Sequence, residues 1–368
     1  MKGKVLKVYF DGQIFIEQVV GGISRYYASL AEALNNTPGV QARIIAPFHR
    51  NEHLDKLKGK AEIGMRFPPH WRVGRISWVM LRASSPAIAR FGRPDIVHET
   101  YYADRPYLTH ARKRVATVYD MIHELYFPGS ETAERKKRTL ARCDHVMCIS
   151  HNTQKDLCEM YGFPIERTSV THLSYKDFGA YADVEPPPSL RGAPYFLFVG
   201  NRSGYKNFSL LLEAFASDFR LRSDFRIVTI GGGAFSTEEL ALCARLNLAS
   251  TQVVQVSGGD DVLGSAYAHA TAFVYPSLYE GFGIPPLEAM SVDCPVLSSN
   301  TSSLPEVVGD AALLFDPRDV EALRAAMLRV ADSEVLRSEL SERGKRRCLE
   351  FTWQRCASST LAAYRLIL

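Results

Sequence analysis

The 368 residues are 46% hydrophobic and 23% charged with a net charge of +4, ordinary globular proportions that exclude a disordered, collagen-like or disulfide-scaffold chain. This length exceeds one typical core and points to two domains of comparable size. Seven scattered cysteines, an odd number with no Cys-x-x-Cys pair, point to reduced thiols in a cytoplasmic protein rather than bridges or a zinc site.

The apolar run that opens the chain is short and stops at Asp11-Gly12, so it predicts a first strand, Val5–Tyr9, and no signal peptide. No run of 18 apolar residues occurs, and no membrane-spanning helix is expected. Gly21 and Gly22 open a helix predicted over Ile23–Leu34, where two adjacent glycines permit close approach of a phosphate or sugar. Strands are predicted at Ala42–Ala46, Ile96–His98, Val115–Tyr119 and His145–Ile149, with a helix at Asn152–Tyr161 behind Ser150, a good N-cap. Strands alternating with helices imply a parallel, doubly wound α/β sheet.

Two features of this half bear on partners. Between Ile63 and Pro94 lie Arg66, Arg72, Arg75, Arg82, Arg90 and Arg93, no acid, and the interleaved Trp71, Trp78, Met80, Leu81 and Phe91. Such a segment suits a phosphate-bearing partner or an anionic membrane, and equally a solvated basic face; Arg135-Lys136-Lys137-Arg138 is a second basic run. Tyr119-Asp120-Met121-Ile122-His123-Glu124 stands at a strand end, where the His123 and Asp120 side chains can hydrogen-bond a ligand. His98-Glu99-Thr100-Tyr101-Tyr102, after another strand, is expected to line the acceptor side.

Glu185–Pro194 holds four prolines in ten residues, which marks a linker. The expected organisation is an N-terminal Rossmann-like domain over 1–184, a linker over 185–194 and a second Rossmann-like, ligand-binding domain over 195–350. A helix over 351–368 is expected to pack back on the first domain. Beyond the linker, strands are predicted at Tyr195–Val199, Phe225–Ile230, Gln252–Val256, Ala272–Tyr275 and Pro295–Ser298. Helices are predicted at Phe208–Phe215, Thr237–Leu246, Pro286–Met290 and Val320–Asp332. Two such domains would face each other across a cleft at the C-terminal ends of their strands, where open α/β sheets bind ligands.

In the second half, Gly200-Asn201-Arg202-Ser203-Gly204-Tyr205-Lys206 follows a strand and offers two cations for a diphosphate. Ile230-Gly231-Gly232-Gly233 reads as a strand-end loop lining the ligand site of this domain; it lacks the full spacing of a dinucleotide fingerprint. The most informative stretch is Glu280-Gly281-Phe282-Gly283-Ile284-Pro285-Pro286-Leu287-Glu288. Here a strand meets a glycine turn and a helix start set by two prolines, an anion-ready geometry flanked by two carboxylates.

With seven residues between its two glutamates, this stretch resembles the signature of the family 4 retaining glycosyltransferases of GT-B fold. The continuation through Pro295, Ser303-Leu304-Pro305-Glu306-Val307 and Phe315-Asp316-Pro317 is similar too. The chain departs from the family's usual glycine at Asp293, a residue that tolerates left-handed backbone. The resemblance implies that Glu288 holds the donor ribose and that Arg202 and Lys206 hold the diphosphate. It assigns Glu280, with the Gly281–Ile284 backbone, and His123 to the sugar, Asp120 to a hydroxyl or the acceptor, and Gly21-Gly22 to the donor diphosphate or the acceptor. It further implies front-face displacement, in which the leaving diphosphate helps deprotonate the acceptor.

No Asp-x-Asp motif marks the donor site, although Asp260 and Asp261 are adjacent, so no metal or cofactor is expected. The family's bacterial surface-polysaccharide members suggest GDP-mannose as donor and a glycan or lipid-linked acceptor, with peripheral membrane contact and no nucleic acid. A nicotinamide-dependent oxidoreductase and a non-catalytic sugar-nucleotide-binding protein are the competing readings.

Overall fold

The computed structural model describes residues 5–55, 57, 61–67, 79–80, 83–84, 92–202 and 204–368. They divide into two compact units, Met1–Ser174 with Thr352–Leu368, and Tyr175–Phe351.

The first unit is built on a seven-stranded parallel sheet. Its strands are β1 (Leu6–Asp11), β2 (Val40–His49), β3 (Glu62–Arg66), β4 (Ile96–Glu99), β5 (Lys113–Val118), β6 (His145–Cys148) and β7 (Thr168–Val170), in the order β3-β2-β1-β4-β5-β6-β7. β4 and β6 are buried along their whole length, the pattern of strands covered on both faces. The strand order reverses between β1 and β4, so the loops after these two strands diverge and leave a crevice. The helix Gly22–Asn35 buries Tyr26, Tyr27, Leu30 and Leu34, and packs against β2 and the C-terminal helix Trp353–Leu366. That last helix also reaches the sheet, where the Tyr364 hydroxyl lies 2.7 Å from His98 Nδ1.

The second unit carries a six-stranded parallel sheet of β8 (Tyr195–Val199), β9 (Arg226–Ile230), β10 (Val253–Val256), β11 (Ala272–Tyr275), β12 (Val296–Ser299) and β13 (Ala312–Phe315). Its order, β10-β9-β8-β11-β12-β13, reverses between β8 and β11. Phe196, Phe198, Phe208, Leu211, Phe215, Ile227 and Met327 form the middle of its core. Each such side chain contributes about 1.5–3 kcal/mol by leaving water.

The division between units falls ahead of the proline-rich segment. Phe178 packs at a tilt against Tyr267 with ring centroids 5.9 Å apart, Ser265 Oγ donates to the Val184 carbonyl at 3.1 Å, and a Cβ on Gly264 would meet Tyr181 Cβ at 2.6 Å. These contacts commit the chain from Tyr175 onward to the second unit. The prolines themselves form a short turn, Pro188–Leu190, held by Arg226 Nη2 on the carbonyls of Leu190, Arg191 and Ala193.

Asp293 adopts φ 65°, the left-handed backbone expected of it. All seven cysteines are free thiols. Among the described residues no helix is long and apolar enough to cross a membrane. Of the basic segment, Trp71, Arg72, Arg75, Trp78, Leu81, Arg82, Arg90 and Phe91 lie outside the described residues.

Candidate functional site

In the second unit the site residues gather where the loops after β8 and β11 diverge. The loop after β11 runs from Pro276 to Gly283 and feeds the helix Ile284–Met290, with proline in its first turn. Gly283 is required there twice over. Its φ of +105° is foreign to L side chains, and a Cβ would meet Leu304 Cδ2 at 2.6 Å. The loop is pinned from β12's side: Ser303 Oγ donates to the Glu280 and Phe282 carbonyls at 2.8 and 2.9 Å, and Glu280 N–H donates to Ser302 Oγ at 2.9 Å. Phe282 is buried edge-on against Phe351. Glu280 and Glu288 are both buried, at 7% and 6% exposure, as solvated surface carboxylates would not be.

The loop after β8 supplies the cation. Lys206 Nζ sits 2.6 Å from Glu280 Oε1, donates to the Tyr275 hydroxyl at 3.1 Å, and lies 5.1 Å from that ring's centroid. Among the described residues these bonds use two of the three ammonium N–H donors, which leaves one for a ligand oxygen. Burial, with the Glu280 charge beside it, holds the Tyr275 phenol far above its ordinary pKa and keeps it neutral. Backbone ties hold the two loops together, since Leu278 N–H donates to the Tyr205 carbonyl and Asn207 Nδ2 donates to the Pro276 carbonyl.

Arg202 has a different situation from Lys206. Its side chain is 2% exposed and pairs with Glu239 at 2.8 Å. Nη1 donates to the Gly231 carbonyl at 2.6 Å, and Nη2 donates to those of Gly233 and Ala234 at 3.0 and 2.9 Å. The guanidinium therefore organises the loop after β9, whose three glycines all have φ between 72° and 92°. A Cβ on Gly232 would strike Arg202 Nη1 at 2.8 Å. Asp260 and Asp261 stand apart in the first turn of the helix Asp260–Ala268, with Asp260 paired to Lys176.

In the first unit, Asp120 lies two residues past β5 and caps the turn by accepting from Ile122 N–H at 3.0 Å. Burial pushes its carboxyl pKa up, against the pull of the Lys136 ammonium. Lys136 is itself wholly buried, bonded to the Asp120 carbonyl at 2.7 Å and to Glu124 at 2.8 Å. His123 Nδ1 is buried and has no hydrogen-bond partner among the described residues, a state that a ligand hydroxyl would relieve. Gly22 begins its helix with nothing within 4 Å of a built Cβ. At Gly21 a Cβ would meet the Gln18 side chain, whose Oε1 accepts from Ser24 N–H.

His98 and Glu99 are interior rather than acceptor-facing. His98 bridges Tyr364 and Thr117, and burial lowers its pKa to about 3, so it stays neutral. Glu99 is buried against Arg114 at 2.8 Å and Arg142. The structure thus brings Lys206, Glu280 and Tyr275 together, and ties Arg202, on the same loop as Lys206, to the Gly231–Ala234 carbonyls and Glu239. Tyr275, Ser302 and Glu239 had no sequence signal as site residues, because each acts through a partner distant in the chain; Ser303 stood only in the stretch similar to the family.

The profile of "Glycosyltransferase Family 4" matches residues 20–173, and that of "Glycosyl transferases group 1" matches residues 184–347. The chain is 30% identical over 283 residues to O-antigen chain mannosyltransferase B of Escherichia coli, covering 73% of this chain and 74% of that protein. It is 28% identical over 328 residues to O-antigen chain mannosyltransferase RfbU of Salmonella typhimurium strain LT2, covering 83% and 86%. A solved glycosyltransferase from Rickettsia africae ESF-5 superposes with a TM-score of 0.73 at 16% identity, over 99% of each chain.

Proposed function

The chain belongs to the family 4 glycosyltransferases, a retaining family of GT-B fold, and from that membership we propose that it moves a mannosyl residue from GDP-mannose to a glycan or lipid-linked acceptor of surface polysaccharide synthesis. The observation that carries the reading is the buried Lys206–Glu280 pair at the β8/β11 divergence, with Glu288 buried on the helix that follows. The mannosyl assignment is supported by the two relatives above, both O-antigen mannosyltransferases.

In the proposed reaction the bond between the sugar's C1 and the diphosphate oxygen breaks, and its electron pair leaves with the diphosphate. The acceptor oxygen bonds C1 on the same face, and its proton passes to a departing phosphate oxygen. Lys206 offers its remaining N–H and its charge to that phosphate in a partly buried setting, where such stabilisation is strong. Arg202 adds positive charge from the second rank while it holds the glycine loop. Glu288 accepts from ribose hydroxyls, and Glu280 with the Gly281–Ile284 backbone holds sugar hydroxyls. His123 Nδ1 bonds a hydroxyl of the transferred sugar, and Asp120 orients the acceptor.

Stabilisation of the folded chain by GDP-, UDP- and dTDP-sugars tests the donor, since a ligand at 100 times its Kd adds about 2.7 kcal/mol. GDP-mannose is expected to raise Tm most; a larger shift with a UDP- or dTDP-sugar overturns the donor assignment. The acid-free Ile63–Pro94 segment is proposed to meet anionic membrane, each cation contributing about 1 kcal/mol near the surface. Equal co-sedimentation of the chain with anionic and neutral vesicles would remove that contact.

A further inference from the structure

The crevice between β1 and β4 in the first unit contains a cavity of about 250 Å³. Gln13, Glu17, Tyr102, Asp104, Tyr107 and Arg135 line it. Gln13 lies two residues past the end of β1, and Tyr102 follows β4, so the cavity occupies the place where this sheet's order reverses. It also adjoins the loop of Asp120, because the Tyr102 hydroxyl accepts from Tyr119 N–H at 3.3 Å.

Its chemistry is specific. The Gln13 side chain is 2% exposed, yet its Oε1 finds no donor among the described residues. The amide orientation is fixed: Nε2 donates to the Tyr102 carbonyl at 2.9 Å and to Glu17 Oε1 at 3.1 Å. Turning the amide over would set its oxygen against two acceptors. A buried acceptor without a donor is destabilising by about 1–3 kcal/mol, and an O–H or N–H supplied by a ligand would relieve this. Glu17, half-buried beside it, is a second acceptor. Tyr107 and Ala103 pack with Ile16 as an apolar wall, and Arg135 pairs with Glu131 at 2.6 Å and Asp104 at 3.7 Å along the rim.

The ligand must therefore donate hydrogen bonds inside and present apolar surface to tyrosine. Two carboxylates and an orphaned carbonyl against one ion-paired arginine disfavour a phosphate. The volume holds about eight waters at ~30 Å³ each, and is below the ~300 Å³ at which drug-sized sites begin. That is room for one sugar ring.

We propose that this cavity is a subsite for a single neutral hexose unit of the acceptor glycan, with Gln13 Oε1 and Glu17 taking its hydroxyl hydrogens and Tyr102 and Tyr107 its C–H surface. The proposal rests on the glycosyltransferase reading for calling the ligand an acceptor, and on the cavity alone for its chemistry. The test has two arms, both with the full chain. In the first, saturation-transfer NMR follows methyl α-mannoside without donor, for wild type, Gln13→Met and Glu17→Ala. Saturation in wild type that falls at least fivefold in both variants is expected. Undiminished saturation in both, or none in wild type at millimolar sugar, overturns the subsite.

In the second arm, transfer from GDP-mannose to methyl α-mannoside is followed kinetically. Gln13→Met is expected to raise the acceptor KM about tenfold, leaving the donor KM and kcat within twofold. An unchanged acceptor KM in both variants overturns the subsite while the enzyme reading stands. If no nucleotide-sugar is bound or turned over, that reading fails, and the first arm still decides whether the cavity takes a hexose. A Gln13→Met chain that does not fold is replaced by Tyr107→Ala, with the same expectation.

Discussion

Replacing Lys206 by alanine separates a catalytic from a structural role at the centre of the site. Lys206 Nζ makes a 2.6 Å contact with Glu280 Oε1, and the two side chains are 17% and 10% exposed, so the pair is largely shielded from solvent. Removing the ammonium leaves the Glu280 carboxylate buried without this partner, which destabilises the fold by about 1–3 kcal/mol. In a unit of this size that lowers Tm by roughly 2–10 °C. If Lys206 also neutralises the departing diphosphate, kcat at saturating donor falls about 10²–10³-fold, the cost of one donor aimed at developing charge. The double variant Lys206→Met/Glu280→Gln, read beside Glu280→Gln alone, distinguishes the effects, because it removes both charges and should recover most of the lost Tm. Turnover should stay depressed at least a hundredfold. Melting curves and steady-state kinetics on folded protein supply both readings. A double variant that regains wild-type kcat with its stability would refute the proposed role and leave Lys206 as the partner that keeps Glu280 in place.

Glu288→Ala is expected to weaken donor binding about tenfold with a small loss of stability; calorimetric titration giving unchanged affinity would remove Glu288 from the ribose. Arg202→Ala should lower Tm strongly, since breaking a buried pair costs about 3–5 kcal/mol, and should lower kcat about a hundredfold. A wild-type kcat in the folded fraction would restrict Arg202 to holding the Gly231–Gly233 loop. Asp11 is wholly buried, and burial with the nearby Glu99 charge raises its pKa from 3.8 to about 7. The folded state thus binds a proton that the unfolded state releases, so this contribution is full below pH 4 and is lost as pH rises through 7. The loss is on the order of 4 kcal/mol. Asp11→Asn should flatten the fall in stability between pH 4 and pH 7 in urea melts, and a parallel fall in the variant would contradict the assignment.

The donor-side turn was legible because its parts are contiguous: β11, the Glu280–Gly283 loop and the two-proline helix start occupy nineteen consecutive positions from Ala272 to Met290. The left-handed turn at Asp293 was legible for the same reason. Arg202 was read only as a cation for phosphate, since its partners Gly231, Ala234 and Glu239 lie about thirty residues on and nothing local announces them. His98 and Glu99 looked like loop-edge ligands because they end a strand. The helix Trp353–Leu366 covers His98 through Tyr364, and Arg114 and Arg142 close over Glu99, contacts made only by the folded chain. The strands without a sequence signal, β3, β7 and β13, are all edge strands. β3 carries Glu62, Gly64 and Arg66, and β7 is Thr168-Ser169-Val170, so neither has the unbroken apolar run of the central strands; β13, Ala312–Phe315, is such a run but too short for periodicity to tell a strand from a buried helix segment. The cavity at Gln13 was invisible for a further reason: an orphaned acceptor is a property of the space around an atom.

Retaining transfer by this chain shows in the anomeric configuration of its product. Incubated with GDP-mannose and a mannoside acceptor, the protein should give a product whose new linkage shows by NMR the α configuration of the donor. Formation of β-linked product would contradict the account.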